Sequence, residues 1–198
     1  PVRLGSTVAE AIHDLSRRSG EPFQVLNCAT LTPELLASEL FGHVEGAFSG
    51  ANQSRRGVLA AADGGTLLLD ELGEMPERLQ TRLLRFLENG EYSPVGSNRR
   101  MRADVRVIGA TNRDINEAVD AGAFRRDLYF RIGAARLDVP PLRYRRADIG
   151  PLARHFLAEL AGRHGRDSLE LSEGAIERLR GYDWPGNVRQ LRNEIERA

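Results

Sequence analysis

The stretch that most limits what this chain can become runs from Gly64 to Pro76, reading GGTLLLDELGEMP. Thr66, Leu67, Leu68 and Leu69 lie between a Gly-Gly turn and the adjacent carboxylates Asp70 and Glu71. A short, continuously apolar run bounded by turn signals predicts a strand of a parallel sheet, because strands covered on both faces lose the polar alternation of half-exposed ones. Open α/β sheets bind ligands at the C-terminal ends of such strands, where these two acids stand. An unpaired buried carboxylate is costly. A divalent cation on Asp70, with Glu71 orienting or activating a water, would satisfy both acids. Nucleoside triphosphatases hold Mg²⁺ against phosphate oxygens in this way. The bland alternative is a pair of solvated acids at an exposed strand end.

A chain of 198 residues has room for one α/β domain and a small appendage. With 41% hydrophobic and 28% charged residues it is not of disordered composition. It has no apolar run long enough to span a bilayer and no signal peptide, so a cytoplasmic protein without a membrane partner is expected. The single cysteine, Cys28, excludes an internal disulfide framework, and with four scattered histidines it argues against structural zinc. A formal net charge of zero supplies no overall pull toward nucleic acid. All 28 basic residues are arginine; lysine is absent.

In chain order, Val8, Ala11, Ile12 and Leu15 predict a helix over 8–18 with Thr7 as its N-cap. Residues 23–27 read as a strand. Thr32 and Pro33 open a second helix running to about Leu40. A Gly-rich interruption, Phe41 to Ala51, carries Phe48. After the acidic strand, residues 76–89 read as a helix with Leu79, Leu83, Leu84 and Leu87 on one face. Glu91 to Val95, a Gly-Ser-Asn turn and Arg99 to Arg102 predict a short hairpin. Residues 104–110 form another strand, 115–121 and 125–131 are helical, and 135–139 is a last strand. The alternation implies a three-layer α/β fold with a parallel sheet. Beyond Pro140-Pro141-Leu142-Arg143 only helices are expected, over 147–162, over 172–180 with Ser172 as cap, and from Gly186 onward. These give an α/β core over 1–140 and a helical lid over 141–198.

The segments ELFGH (39–43), GAFSGA (46–51), LDELGE (69–74), ATNR (110–113), FRRDLYFR (124–131), PPLR (140–143) and WPGNVR (184–189), in this order, resemble the central AAA+ domain of bacterial enhancer-binding proteins. Those proteins activate RNA polymerase carrying sigma-54. The resemblance extends from about Val8 to Ala198, and the 46–51 loop is nearly private to that family. It implies an αβα core with a helical lid, ATP and Mg²⁺ as cofactors, and assembly as a hexamer. It further implies partnership with the sigma-54 RNA polymerase holoenzyme, and with promoter or enhancer DNA mainly through a DNA-binding domain outside these residues.

The same resemblance assigns roles. Asp70 would hold the metal and Glu71 would activate water. Asn112 would sense the γ-phosphate or hold the attacking water, unless it merely caps the next helix, as Thr111 and Asp114 could. Asn27 would restrain Glu71, although a turn-forming amide is an equal reading. Arg125 and Arg131 would reach a neighbouring subunit's triphosphate, a task suited to a planar, permanently charged guanidinium; Arg126 is left as a solvated charge. Arg189 would contact nucleotide from the lid, against the alternative of a surface ion pair with Glu194. Gly46, Ala47, Phe48, Ser49, Gly50 and Ala51 would form the grip on sigma-54, with Phe48 exposed at the tip unless it folds back onto its own core. Ser49 keeps the hydroxyl of the family's usual Thr without its methyl. Arg99, Arg100 and Arg102 on the hairpin would suit DNA phosphates, though solvation explains them as well.

The phosphate-binding loop departs from the family. Counting back from Ala11-Ile12-His13 puts Gly5 where the phosphate-binding Lys belongs; with one residue deleted, Ser6 takes that place. The strand expected before the loop is missing, which implies either a truncation inside the loop or a degenerate loop, and the lid's C-terminal end is open to the same doubt. The expected function is an ATP-dependent activator domain that remodels sigma-54 polymerase. The alternative is a non-hydrolysing relative that binds DNA or partners.

Overall fold

The computed structural model describes residues 4–163 and 169–197, which form two compact units, Gly5–Arg136 and a second from Leu137 onward. In the first unit the sheet has three parallel strands in the order β1 (Phe23–Asn27), β2 (Thr66–Asp70), β5 (Arg106–Gly109). β2 is central, and every one of its residues is buried. Register pairs Asn27 with Asp70 on one side of β2 and Leu69 with Gly109 on the other. α1 (Leu4–Asp14) precedes β1, and between the strands come α2 (Pro33–Phe41), α3 (Val58–Ala61) and α4 (Glu77–Asn89). A two-stranded hairpin, β3 (Glu91–Tyr92) with β4 (Met101–Arg102), precedes β5; α5 (Ile115–Asp120) and α6 (Arg126–Ile132) follow it. Leucines of α2, β2 and α4 join Phe41, Phe86 and Phe124 in one core.

Local signals account for most of these elements. Thr32 caps α2 by accepting from Leu35 N, with Pro33 at the first helical position. Asp114 caps α5 by accepting from Asn116 N and Glu117 N. α4 buries Leu79, Leu83 and Phe86 and stops at Gly90, whose φ of 74° is the left-handed closure glycine accepts without strain.

The second unit is helical: two single 3₁₀ turns (Leu142–Tyr144 and Arg146–Asp148), then α7 (Ile149–Arg163), α8 (Glu173–Gly181) and α9 (Asn187–Arg197). Ser172 caps α8 through Ala175 N. Leu142, Ile149, Phe156, Trp184 and Leu191 are among its core residues. Asn187 Oδ1 accepts from Leu142 N, tying the entry turn to α9.

Four expectations are corrected. The first helix spans Leu4–Asp14, so Thr7 lies inside it instead of capping it, and residues 15–18 have left the helix. Residues 135–139 form no strand: among the described residues no strand pairs with them, and Leu137 and Val139 are exposed. The hairpin is paired over only two residues per strand, and the strand expected over 104–110 is regular only from Arg106 to Gly109. α3 carried no local signal and was missed.

Candidate functional site

The acids Asp70 and Glu71 end β2 and face a tight set of neighbours. Asp70 is buried, its Oδ2 accepting from Asn27 Nδ2 at 3.1 Å and its Oδ1 from Glu71 N at 3.1 Å. Asn27 Oδ1 in turn accepts from Ala29 N at 3.0 Å, which fixes the amide's orientation. Asn27 thus holds Asp70 and not Glu71, the partner expected of it, because the β1–β2 register sets Asn27 beside Asp70. Glu71 sits in the left-handed region at φ 54°, ψ 43°, uncommon for a residue with a Cβ. Such strain, on the order of 1–3 kcal/mol, persists where the surroundings impose it and is typical of functional sites. One carboxylate oxygen of Glu71, Oε2, is buried without a hydrogen-bond partner among the described residues. That orphaned atom next to Asp70 is what a water or metal-bound ligand would satisfy.

The electrostatics agree. Cys28 follows Asn27, and its backbone N donates to Asp70 O at 2.8 Å. Burial, with Asp70 and Glu71 close by, pushes its thiol from an ordinary 9.0 up to about 12. The strand end therefore carries a negative field in a dehydrated place, the setting in which a cation is welcome. No group of three or more His, Cys, Asp or Glu forms a cage among the described residues. Mg²⁺ fits such a site when one protein carboxylate and ligand phosphates share its coordination, so Asp70 is the residue that would hold it.

The loop after β5 comes to the same end of the sheet. Ala110 N donates to Leu69 O and Leu72 N to Ala110 O, so the chain leaves β5 alongside β2. Thr111 and Arg113 close over Gly73, where an added Cβ would lie 2.8 Å from Thr111 Oγ1. Arg113 pairs with Glu74 at 2.5 Å. Asn112 is exposed between them, and Asp114 takes the capping role, so Asn112 is not the cap of α5.

Arg125 stands at the N-cap of α6, not within the helix, and Arg131 in its last turn. The Arg125 guanidinium makes a fork–fork pair with Asp127 at 3.0 and 2.7 Å, which raises the arginine's pKa and lowers that of the aspartate. Arg131 donates twice to Leu87 O. Arg126 is exposed and reaches Asp120 at 3.6 Å. Sequence reasoning missed Gln80: wholly buried, it donates to Met75 O and Ala123 O while its Oε1 accepts from Arg125 N. A polar residue on the apolar face of a helix was the available signal. Gly5 and Ser6 lie in the first turns of α1, and Arg189 is exposed on α9, with no ion pair among the described residues.

The 46–51 loop is braced. His43 N and Arg55 N exchange hydrogen bonds with Arg55 O and His43 O, Val95 N donates to Gly42 O, and Val44 N to Val95 O. Gly46 N donates to Ala51 O and Ala51 N to Phe48 O, closing Gly46, Ala47, Phe48, Ser49, Gly50 and Ala51 into a compact turn. Phe48 is half-buried, its ring edge-on to His43 with centroids 5.1 Å apart, so the expected free-standing aromatic is corrected to one resting on a support. His43 Nδ1 is held in turn by Ser38 Oγ at 2.7 Å.

Residues 5–138 match the model of the sigma-54 interaction domain, and residues 143–198 that of an AAA+ ATPase lid domain. A parallel sheet with helices and a helical C-terminal segment is the AAA+ fold, shared at a TM-score of 0.71 with a closed-state Hsp104 reconstruction only 18% identical. The chain belongs to the sigma-54 interaction domain family of transcriptional regulators. It is 50% identical over 191 residues to the transcriptional regulatory protein ZraR of Klebsiella oxytoca, covering 96% of this chain and 43% of that one. It is 51% identical over 191 residues to the alginate biosynthesis regulator AlgB of Pseudomonas aeruginosa, covering 96% and 42%. NtrX from Brucella abortus superimposes with a TM-score of 0.88 at 38% identity, covering 97% of this chain and 43% of that one, and the same protein has been solved with ATP. The chain spans less than half the length of the relatives it matches.

Proposed function

We propose that this domain binds ATP with Mg²⁺ and uses the nucleotide cycle to contact and remodel sigma-54 RNA polymerase as a homo-hexamer. The observation that carries the reading is the strained Glu71, with a buried Oε2 unpartnered among the described residues, beside Asp70 at the end of the central strand. When bound, Mg²⁺ supplies charge neutralisation on the β- and γ-phosphates. Asp70, oriented by Asn27, holds its place at that cation; Glu71 positions and deprotonates water; Asn112, on the adjoining loop, senses the terminal phosphate. Arg125 and Arg131 act on a neighbouring subunit, for which Arg125 exchanges its fork with the exposed Asp127 for the phosphate. Arg189 serves the nucleotide from the helical unit. Gly46 to Ala51 grip sigma-54, with Phe48 presented on His43, and promoter or enhancer DNA is engaged chiefly through residues outside this chain.

A second reading, a regulator that binds partners without hydrolysis, is favoured by the absence of any lysine among the 198 residues. With Gly5 or Ser6 at the phosphate-binding position, losing one preorganised donor typically costs ~10²–10³ in rate. The purified chain should therefore bind ATP in a Mg²⁺-dependent manner and turn it over slowly or not at all. In calorimetric titrations, Asp70→Asn should weaken Mg²⁺-dependent binding by roughly tenfold, equivalent to ~1.4 kcal/mol. Binding indifferent to Asp70 would remove the nucleotide reading. Fast turnover that disappears in Glu71→Gln would remove the second reading.

A further inference from the structure

A cleft of about 310 Å³ lies away from the Asp70–Glu71 site, between α4 and the β3–β4 hairpin. Arg82, Arg85 and Asn89 line it from α4, and Tyr92, Ser93 and Arg100 from the hairpin. Its floor is the fully buried Phe41, whose ring carries the Arg82 guanidinium 3.9 Å from the centroid. Arg82 is half-buried and donates to Ser93 O at 2.5 Å, and burial lowers its pKa. The lining's one carboxylate, Glu91, meets Arg100 only loosely, at 3.8 Å. Three guanidiniums against one carboxylate leave a surplus of two positive charges in a concave space. The remaining polar groups are an amide and two hydroxyls, all able to donate hydrogen bonds.

We propose that this cleft is a binding site for a small phosphate-bearing ligand of about the size of pyrophosphate. Guanidinium forks match phosphate oxygens bidentately, and a cation fixed by stacking on Phe41 and by Ser93 O loses little freedom when the anion arrives. The volume sits at the lower end of the ~300–1,000 Å³ usual for ligand sites, which suits a compact anion. A duplex presents its phosphates along an extended track, for which a concave space of about 310 Å³ is too short. Occupancy would also clamp the hairpin onto α4. Because Val95 N and O bond to Gly42 and Val44 at the root of the 46–51 loop, that clamp reaches the loop's support.

The test is calorimetric titration of the whole chain with pyrophosphate, repeated with citrate as a phosphate-free polyanion and with a short DNA duplex. One saturable site is expected, weakened about tenfold or more by Arg85→Gln and by Arg100→Gln, and unchanged in Asp70→Asn. Both arginines are on the cleft's rim, so these variants keep the Arg82–Phe41 stack, and circular dichroism confirms their folding. Hydrogen exchange at the Tyr92 and Val95 amides should slow on binding. No saturable binding, equal binding of citrate, or loss of binding in Asp70→Asn with Arg85→Gln unaffected would each overturn the proposal. Displacement of pyrophosphate by the duplex at lower phosphate concentration would overturn the assignment to a small ligand in favour of a nucleic-acid backbone.

Discussion

Cys28 is a residue at which burial and, after it, the two acids of the candidate site act together. It is 3% exposed, and its thiol is pushed up to about 12 by burial first and then by Asp70 and Glu71. In the unfolded chain the thiol ionises near its ordinary 9.0, so between about pH 9 and 12 the folded state binds the extra proton. Stability contributed by the thiol is therefore complete below pH 9 and is lost as pH rises through that window, at up to ~1.4 kcal/mol per pH unit. Urea denaturation midpoints should fall less steeply with alkaline pH in Cys28→Ala than in the parent chain. Identical slopes would mean that neither burial nor the two acids raise this thiol in the folded chain. The placing of Asp70 and Glu71 together at the end of a buried strand was legible from their position after an apolar run. The partner of Asn27 was not, because it depends on a register between strands 43 residues apart. Likewise, the resting of Phe48 on His43 follows from the turn geometry of the loop, which composition does not reveal.

At the scale of elements, the buried Gln80 of α4 ties that helix to the N-cap of α6, and Arg131 adds a second link through Leu87 O. Gln80 satisfies two carbonyls and the Arg125 N–H at once, so Gln80→Ala takes that partner from the buried Met75 O, from Ala123 O and from the half-buried Arg125 N–H. A buried polar group left unpaired costs about 1–3 kcal/mol, and chemical denaturation should show a loss of at least that size. A change below half a kcal/mol would indicate that water replaces the amide (the ~0.5 kcal/mol threshold being typical of surface substitutions). Caps and apolar stripes are local, which is why α2, α4, α5 and α8 could be placed from Thr32, Leu79, Asp114 and Ser172. A strand is a relation to a neighbour. Residues 135–139 have the right alternation but lack a ladder among the described residues, so their sequence pattern alone could not make them β.

For the whole molecule, the account requires subunits that complete one another. In an active oligomer containing this domain, Arg131→Ala and Glu71→Gln should each abolish activity, while mixed oligomers regain part of it, since each supplies what the other lacks. Failure of mixing, with hexamers verified by ultracentrifugation, would place the arginines in cis or in a purely structural role. The central claim, however, is that the 46–51 loop grips sigma-54 under control of nucleotide. The measurement that tests it most directly is capture of purified sigma-54 by the domain with an ATP transition-state analogue, for the parent and for Phe48→Ala. Loss of an aromatic anchor at an interface commonly costs ~2–4 kcal/mol, enough to remove a weak complex. The account predicts capture only with the analogue, its disappearance in Phe48→Ala with nucleotide binding and thermal stability nearly unchanged, and strengthening in Ser49→Thr. Capture that survives Phe48→Ala, or a variant that fails because its melting temperature falls by many degrees, would contradict it and make Phe48 a packing residue on His43.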